Sequence, residues 1–443
     1  MQTRRQFVGS SCAAALVAAR GLSWAQAAVD FSLKIEPCVL ELGPKKTVKT
    51  VAYNGVAPGP LLRVKQGRAF SVDVENRSAN AEIVHWHGLL GSPVMDGAME
   101  EGSPMIAAGA SLRYALMAEP AGLRWYHTHT FAGTDMNRGQ YTGQHGLLYV
   151  ESAEDAGRYD REFFLTLQDW RGQMMGGGDG SMNPEYEVST INGKMLGAGE
   201  PLRVKEHERV LLHVVNASAT EVHWVAMAGH QFEVIALDGN TVPHAAKVPM
   251  LRLAPAERVS AVVRMDKPGV WVLGEVRKHI QAAGMGVMVE YAGATGKPQW
   301  VQPASLVWDY AAFAGAALTS EAHDQPAQEI PLVFESKFQG HGAMEKWMIN
   351  GASWPDVSSP KLVAGRRYRL RLQNKSIDDH PIHLHRHRFE LVNAPGVLKD
   401  TVLVPAHTEM SVVFLADNPG ATLLHCHQQD HMDRGFMMVM QYA

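Results

Sequence analysis

One pattern occurs three times along the 443-residue chain, and it constrains the fold more than any other feature. Asn54-Gly55 leads through Pro60-Leu61-Leu62-Arg63-Val64 into the alternating run Phe70-Ser71-Val72-Asp73-Val74 and ends at Asn76. Asn192-Gly193 leads through Pro201-Leu202-Arg203-Val204 into Val210–Val215 and ends at Asn216. Asn350-Gly351 leads through Pro360-Lys361-Leu362-Val363 into Tyr368-Arg369-Leu370-Arg371-Leu372 and ends at Asn374. The copies begin 138 and 158 residues apart, so the repeating unit is a whole domain and not a solenoid turn. Alternation with a period of two, bounded by turn residues, predicts strands that bury one face. The expected architecture is all-β, with three consecutive Greek-key β-sandwich domains. Each closing Asn begins Asn-x-Ser; a turn at the end of a strand accounts for that better than a glycosylation site does.

The ends of the units repeat as well. Gly420-Ala421-Thr422-Leu423-Leu424-His425-Cys426-His427 aligns with Gly122-Leu123-Arg124-Trp125-Tyr126-His127-Thr128-His129 and with Gly269-Val270-Trp271-Val272-Leu273-Gly274-Glu275-Val276. The same strand therefore carries His-Cys-His in the third unit, His-Thr-His in the first and Gly-Glu-Val in the second. Chemistry falls on the outer units and not on the middle one.

Residues 1–27 read as an export signal. The paired arginines Arg4-Arg5 precede a short apolar run and the cleavage pattern Ala25-Gln26-Ala27. The arginine pair resembles a twin-arginine (Tat) signal, which implies export of folded protein to a periplasmic or secreted location and use of the Tat machinery. No other stretch is long and apolar enough to predict a membrane span. Lys+Arg number 41 against 45 Asp+Glu, without a basic run, which argues against nucleic acid as a partner. The expected domains are 28–155, 156–300 and 326–443, with a linker over 301–325.

The chain has 21 histidines and only 3 cysteines, too few for a disulfide framework over three domains. Of the cysteines, Cys12 falls in the signal and Cys38 reads as a small core residue. Ten histidines cluster: His85-Trp86-His87-Gly88; His127-Thr128-His129; His380-Pro381-Ile382-His383-Leu384-His385; and His425-Cys426-His427 with His431. Residues i and i+2 of a strand share a face, so each His-x-His pair can point at one site. In His425-Cys426-His427 the histidines share one face and Cys426 points to the other. One tripeptide thus touches two sites. Imidazole and thiolate donors suit copper, zinc and iron, and two histidines with one thiolate suit a blue copper site. A lone His-x-His is weak evidence for a metal, since exposed strands carry such pairs by chance; the full ordered set is not a chance pattern.

In these motifs the chain resembles the multicopper oxidases, the laccase-like three-domain cupredoxin proteins, over its whole mature length. The resemblance implies four copper ions. His380, Cys426 and His431 correspond to ligands of the type 1 copper, with Phe436 at the axial position as a non-coordinating group and Met437 facing away. His85 and His383 correspond to type 2 ligands. His87, His127, His129, His385, His425 and His427 correspond to ligands of the type 3 pair. Asp96 resembles the family acid that delivers protons for oxygen reduction, although an Asp before Gly97 is also a common turn. Where some relatives carry a second acid after the last type 1 histidine, this chain has Met432, between Asp430 and Asp433.

The implied partners are O2 and a small reductant that delivers electrons through an exposed edge of His431. Phenols or aromatic amines come first, with a cuprous or ferrous oxidase as the alternative. Met95, Met99 and Met105, and Met174, Met175 and Met182 beside a glycine-rich loop, are the methionines that the alternative would use; loop and core filling is the simpler account of them. From a different class, the same fold serves copper-free structural or cell-division proteins, which lose ligands. In the middle unit His223 aligns with His380, but Ala226, Ala228 and Glu275 replace the other ligands. His145, His207, His213, His230, His244, His279, His323, His341, His387 and His407 have no matching partners and read as surface or satisfied polar residues.

Overall fold

The computed structural model describes residues 29–153, 158–176, 182–304, 307–315, 328–340 and 345–443. The export signal with Cys12, Gly177 and Gly178 of the glycine-rich loop, His323 and His341 lie outside them. The described chain is built almost wholly of strands, in three sheet-rich domains of cupredoxin type.

In the first domain, one four-stranded sheet runs in the order Lys46–Tyr53, Phe31–Gly43, Ala69–Asn76, Ser111–Met117. It faces a second with the order Gly59–Lys65, His145–Glu151, Gly122–Thr128, Val84–His87. The second and third domains each enlarge this plan to six strands against five. Strand Ala69–Asn76 shows why the alternating pattern folds this way: Phe70, Val72 and Val74 are buried while the residues between them are more exposed. The first domain has its own core, whereas buried apolar residues of the second and third form one continuous cluster.

The three closing asparagines do the same work. The side-chain oxygens of Asn76, Asn216 and Asn374 accept from the main-chain N–H of Ser78, Ser218 and Ser376, each at 2.9 Å. Each Nδ2 donates to a carbonyl four or five residues on (Asn80, Glu221, Asp378) and to one from a distant strand end (Ile106, Leu253, Val404). The asparagine thereby pins the strand end to the far sheet.

The segment expected as a plain linker holds a short 3-10 helix, Tyr310–Phe313, with both end residues buried. It packs against strands Asn240–Val248 and Ala394–Lys399, because its aromatic rings cover apolar surface that both domains leave open. Cys38 is half-buried on the outermost strand pair, so the expectation of a core residue is corrected.

Candidate metal centres

Strand register delivers the histidines. His85 lies opposite His127 on paired strands Val84–His87 and Gly122–Thr128. In the third domain His383 lies opposite His425, and Ile382 opposite Cys426. The two arrays face each other across the boundary between the first and third domains, all eight rings buried.

On the far side of strand Thr422–Cys426, Sγ of Cys426 lies 3.7 Å from Nδ1 of His380 and 3.5 Å from Nδ1 of His431; those two nitrogens are 3.2 Å apart. His431 stands on the short helix Gln429–Asp433. Nε2 of His380 is 2.7 Å from Oγ of Ser376, whose own proton can go to Asn374 Oδ1 at 2.8 Å. His380 therefore donates through Nε2 and keeps the Nδ1 lone pair for the centre. Phe436 is buried in the same core cluster as Cys426, its ring centroid 4.7 Å from that of His380. Met437 falls in a separate cluster with Leu423 and Met432, facing away.

The histidine side is anchored in the same manner. Nδ1 of His127 and of His425 each donates to a carbonyl at 2.8 Å, that of Thr128 and of Cys426. Nδ1 of His383 donates to the Asp400 carbonyl at 2.8 Å, and that of His85 to the Asp96 carbonyl at 2.9 Å. Their Nε2 atoms are left facing inward. Nε2 of His425 lies 3.0 Å from that of His385 and 3.5 Å from that of His129. Nε2 of His85, Nε2 of His383 and both nitrogens of His427 are buried without a partner among the described residues. Burial first, and the neighbouring imidazoles second, hold the pKa values of His127, His129, His385, His425 and His427 well below the ordinary histidine value, and that of His383 at about 3. Those six rings are neutral, and His85/His383/His385, His85/His87/His127, His129/His385/His425 and His380/Cys426/His431 each lie close enough to hold a metal ion. Nitrogen and thiolate donors in these sets fit copper.

The carboxylates are more numerous than the motifs suggested. Asp96 is buried, its Oδ2 2.7 Å from Nδ1 of His385 and 3.1 Å from Nδ1 of His85. Its neighbour Gly97 has φ 92°, and a Cβ there would lie 1.8 Å from the Val84 carbonyl oxygen, so the turn that places Asp96 requires glycine. Glu101 accepts from Arg386 Nε at 2.9 Å and from the main-chain N–H of Leu423 at 2.6 Å; burial, with Asp96 next, pushes its pKa well up. Asp400 bonds Nε2 of His87 at 3.1 Å. Neither Glu101 nor Asp400 stands in a histidine motif, and only the fold brings them to the site. Asp433 accepts from the N–H groups of Ala132 and Gly133 at 2.8 and 2.7 Å, tying the loop after His129 to the third domain, and burial raises it to about 7.

His431 is only 3% exposed. The indole of Trp347 lies over it with ring centroids 4.1 Å apart, which corrects the expected exposed edge. In the middle domain, His223 sits between Asp169 (2.9 Å) and Glu275 (3.0 Å), an ionic triad at the position of the third domain's His380 and Cys426. His213, His230 and His387 are buried and bonded, to Ser260 and Glu162, to Tyr291 and to Tyr442 respectively. His207, His244, His279 and His407 are exposed. His145 departs from expectation: it is buried, and its Nε2 lacks a partner among the described residues.

Models described as multicopper oxidase match residues 37–155, 161–289 and 329–443. Multicopper oxidase MmcO of Mycobacterium tuberculosis is 28% identical, with 94% of this chain and 87% of that protein covered. Laccase-2 of Fomitopsis schrenkii is 25% identical, over 89% and 86%. Among solved structures, Fet3p, a multicopper oxidase that functions in iron import, superposes with a TM-score of 0.80 at 19% identity, covering 93% of this chain and 90% of that one. The multi-copper oxidase of Pseudomonas thermotolerans gives 0.74 at 24% identity, over 94% and 100%. Family models thus span all three domains of a fold whose outer two bring buried histidine and cysteine clusters together, and the chain belongs to the multicopper oxidases.

Proposed function

We propose that this oxidase is laccase-like, taking electrons one at a time from phenols or aromatic amines. The observation that carries the reading is the convergence of all ten motif histidines and Cys426 into two buried centres, with the ring nitrogens free to bind metal. His380, Cys426 and His431 would hold a type 1 copper, with the non-coordinating ring of Phe436 packed beside them; His85 and His383 a type 2 copper; and His87, His127, His129, His385, His425 and His427 a type 3 pair. The four ions supply storage for the four electrons that, with four protons, turn O2 into two waters.

The chain's own residues supply the rest. Cys426 is bonded through the backbone to His425 and His427, giving a short covalent route between the centres. Asp96, whose Oδ2 accepts from Nδ1 of His385, would relay protons to the centre. A cavity of about 340 Å³ beside the His431 helix is walled by Phe131, Trp354, Asp433 and Arg434, among others. Its size and aromatic walls suit a single ring with a hydroxyl or amine.

The metal-oxidase reading draws on Met175, which is 46% exposed, and on Met136, which packs beside Gly172 of the same hairpin. It also matches Fet3p, which functions in iron import. The copper-free alternative needs lost ligands, and all eleven of these residues are present here and buried. Residues 1–27 support export by the Tat route, and no helix among the described residues is long and apolar enough to cross a membrane.

Copper content, the blue band and O2 uptake on a phenol, on Cu(I) and on Fe(II) test the reading. A protein that binds no copper, or takes up O2 with none of the three, overturns it. Strong stimulation of phenol turnover by Cu(II), lost in Met174→Leu/Met175→Leu, moves the assignment to the metal oxidase. Cys426→Ser is expected to lose the blue band and donor oxidation while keeping the histidine-bound coppers.

A further inference from the structure

Two aspartates flank the histidine cluster in matching ways. The main-chain oxygen of Asp96 accepts from His85 of its own domain, while its carboxylate reaches across the boundary to His385. The main-chain oxygen of Asp400 accepts from His383 of its own domain, while its carboxylate reaches back across to His87. Ring stacking obeys the same local two-fold: His85 lies on His385 with centroids 4.1 Å apart, and His383 on His87 at 3.8 Å.

The two carboxylates are supported differently. Asp400 is gripped by both terminal nitrogens of Arg258, at 2.6 and 2.5 Å, and Arg258 belongs to the middle domain. That guanidinium also donates to the carbonyls of Ala256 and Asp238, each at 3.1 Å. Asp238 in turn accepts from the main-chain N–H groups of Asp400 and Thr401 and from Lys399 Nζ. Every member is buried. Gly88, the last residue of His-Trp-His-Gly, leaves room for the pair: a Cβ there would lie 2.8 Å from the Arg258 nitrogen and 2.9 Å from the Asp400 oxygen.

We propose that Arg258 and Asp400 are positioning residues through which the middle domain, itself without a copper site, fixes the His87 ring and governs copper retention at the type 3 pair. His85, His127, His383, His385 and His425 direct Nδ1 outward, but His87 directs Nε2 outward to Asp400 and turns Nδ1 toward Nε2 of His127, 3.4 Å away. With Nε2–H committed to the carboxylate, only the Nδ1 lone pair is free to bind. The carboxylate that accepts this proton is itself held in place at both oxygens by Arg258. A bidentate fork does this with fixed geometry, which a lysine cannot supply.

The proposal rests on the reading of His87 as a copper ligand. The test is EDTA titration of the copper-loaded wild type, Asp400→Asn and Arg258→Lys, following copper per chain, the blue band and the near-ultraviolet band of the coupled pair. Both variants are expected to keep the blue band and to lose the type 3 signal at roughly ten- to a hundred-fold lower EDTA than wild type. If the variants hold that signal at wild-type EDTA concentrations, or lose both bands in step, the proposal falls. A wild type without a type 3 signal would instead remove the ligand reading, and the proposal with it. Should Asp400→Asn not fold, Arg258→Lys keeps the positive charge and carries the test with the same outcomes.

Discussion

Ser376 closes the third Asn-x-Ser turn and also accepts the Nε2 proton of His380. In the middle domain the equivalent Ser218 bonds Asp169, which bonds His223, so the position keeps one job with different chemistry. Ser376→Ala removes the hydroxyl that donates to Asn374 and accepts from His380 and from the Asp378 N–H, and should cost about 1–3 kcal/mol. It should also lower type 1 copper retention by roughly ten-fold, because the His380 tautomer is no longer fixed. A blue band that survives chelator as it does in wild type would contradict this. Asp96 was legible at this scale from its place after the first histidine pair. Glu101, Asp400 and Trp347 were not, since nothing in their local sequence marks them.

At the scale of the element, the Asn-x-Ser turn is a clasp between sheets. Asn216→Ala removes three hydrogen bonds and strands two carbonyls in the middle domain, a loss of at least about 2 kcal/mol. Urea unfolding should show it, while the copper spectra stay unchanged in native buffer because the main-chain bonds of Asn216 to Ala256 and Glu257 beside Arg258 are kept. The His223 triad makes a second prediction. Against the cost of burial, Asp169 and then Glu275 raise His223 to about 10, while His223 and then Arg277 hold Glu275 at about 2; Glu221 also lies nearby. A raised histidine contributes stability that is complete below its unfolded value of about 6.5 and is lost as pH climbs toward 10. A depressed glutamate contributes above about 4.3 and loses its share as pH falls toward 2. The Tm gap between wild type and His223→Gln should therefore be widest, on the order of 5 °C, near pH 5–6, and narrow toward pH 10. A gap independent of pH would mean that the imidazolium carries none of it.

Across the whole molecule, the proposed copper set is divided between two domains: His85, His87, His127 and His129 stand on the first, and His383, His385, His425 and His427 on the third. Bound copper should clamp them. A site with free ligand at a thousand times its dissociation constant adds about 4 kcal/mol to stability, so chelation should lower the unfolding temperature and Cu(II) should restore it. Calorimetry showing a copper-independent transition would count against ligands shared between domains. The chain order alone determined three β-sandwich units, the faces of the His-x-His strands, the opposite facing of Cys426 and its two flanking histidines, and the replacement of histidine and cysteine by Ala226, Ala228 and Glu275 in the middle unit. These follow from local alternation and from repeats, which are visible one strand at a time. Only the tertiary structure decided that Trp347 covers His431, that Asp400 mirrors Asp96, and that Arg258 reaches the cluster from the second domain. Those contacts join residues up to 313 positions apart, and buried charges choose partners by distance and desolvation, which sequence spacing does not encode.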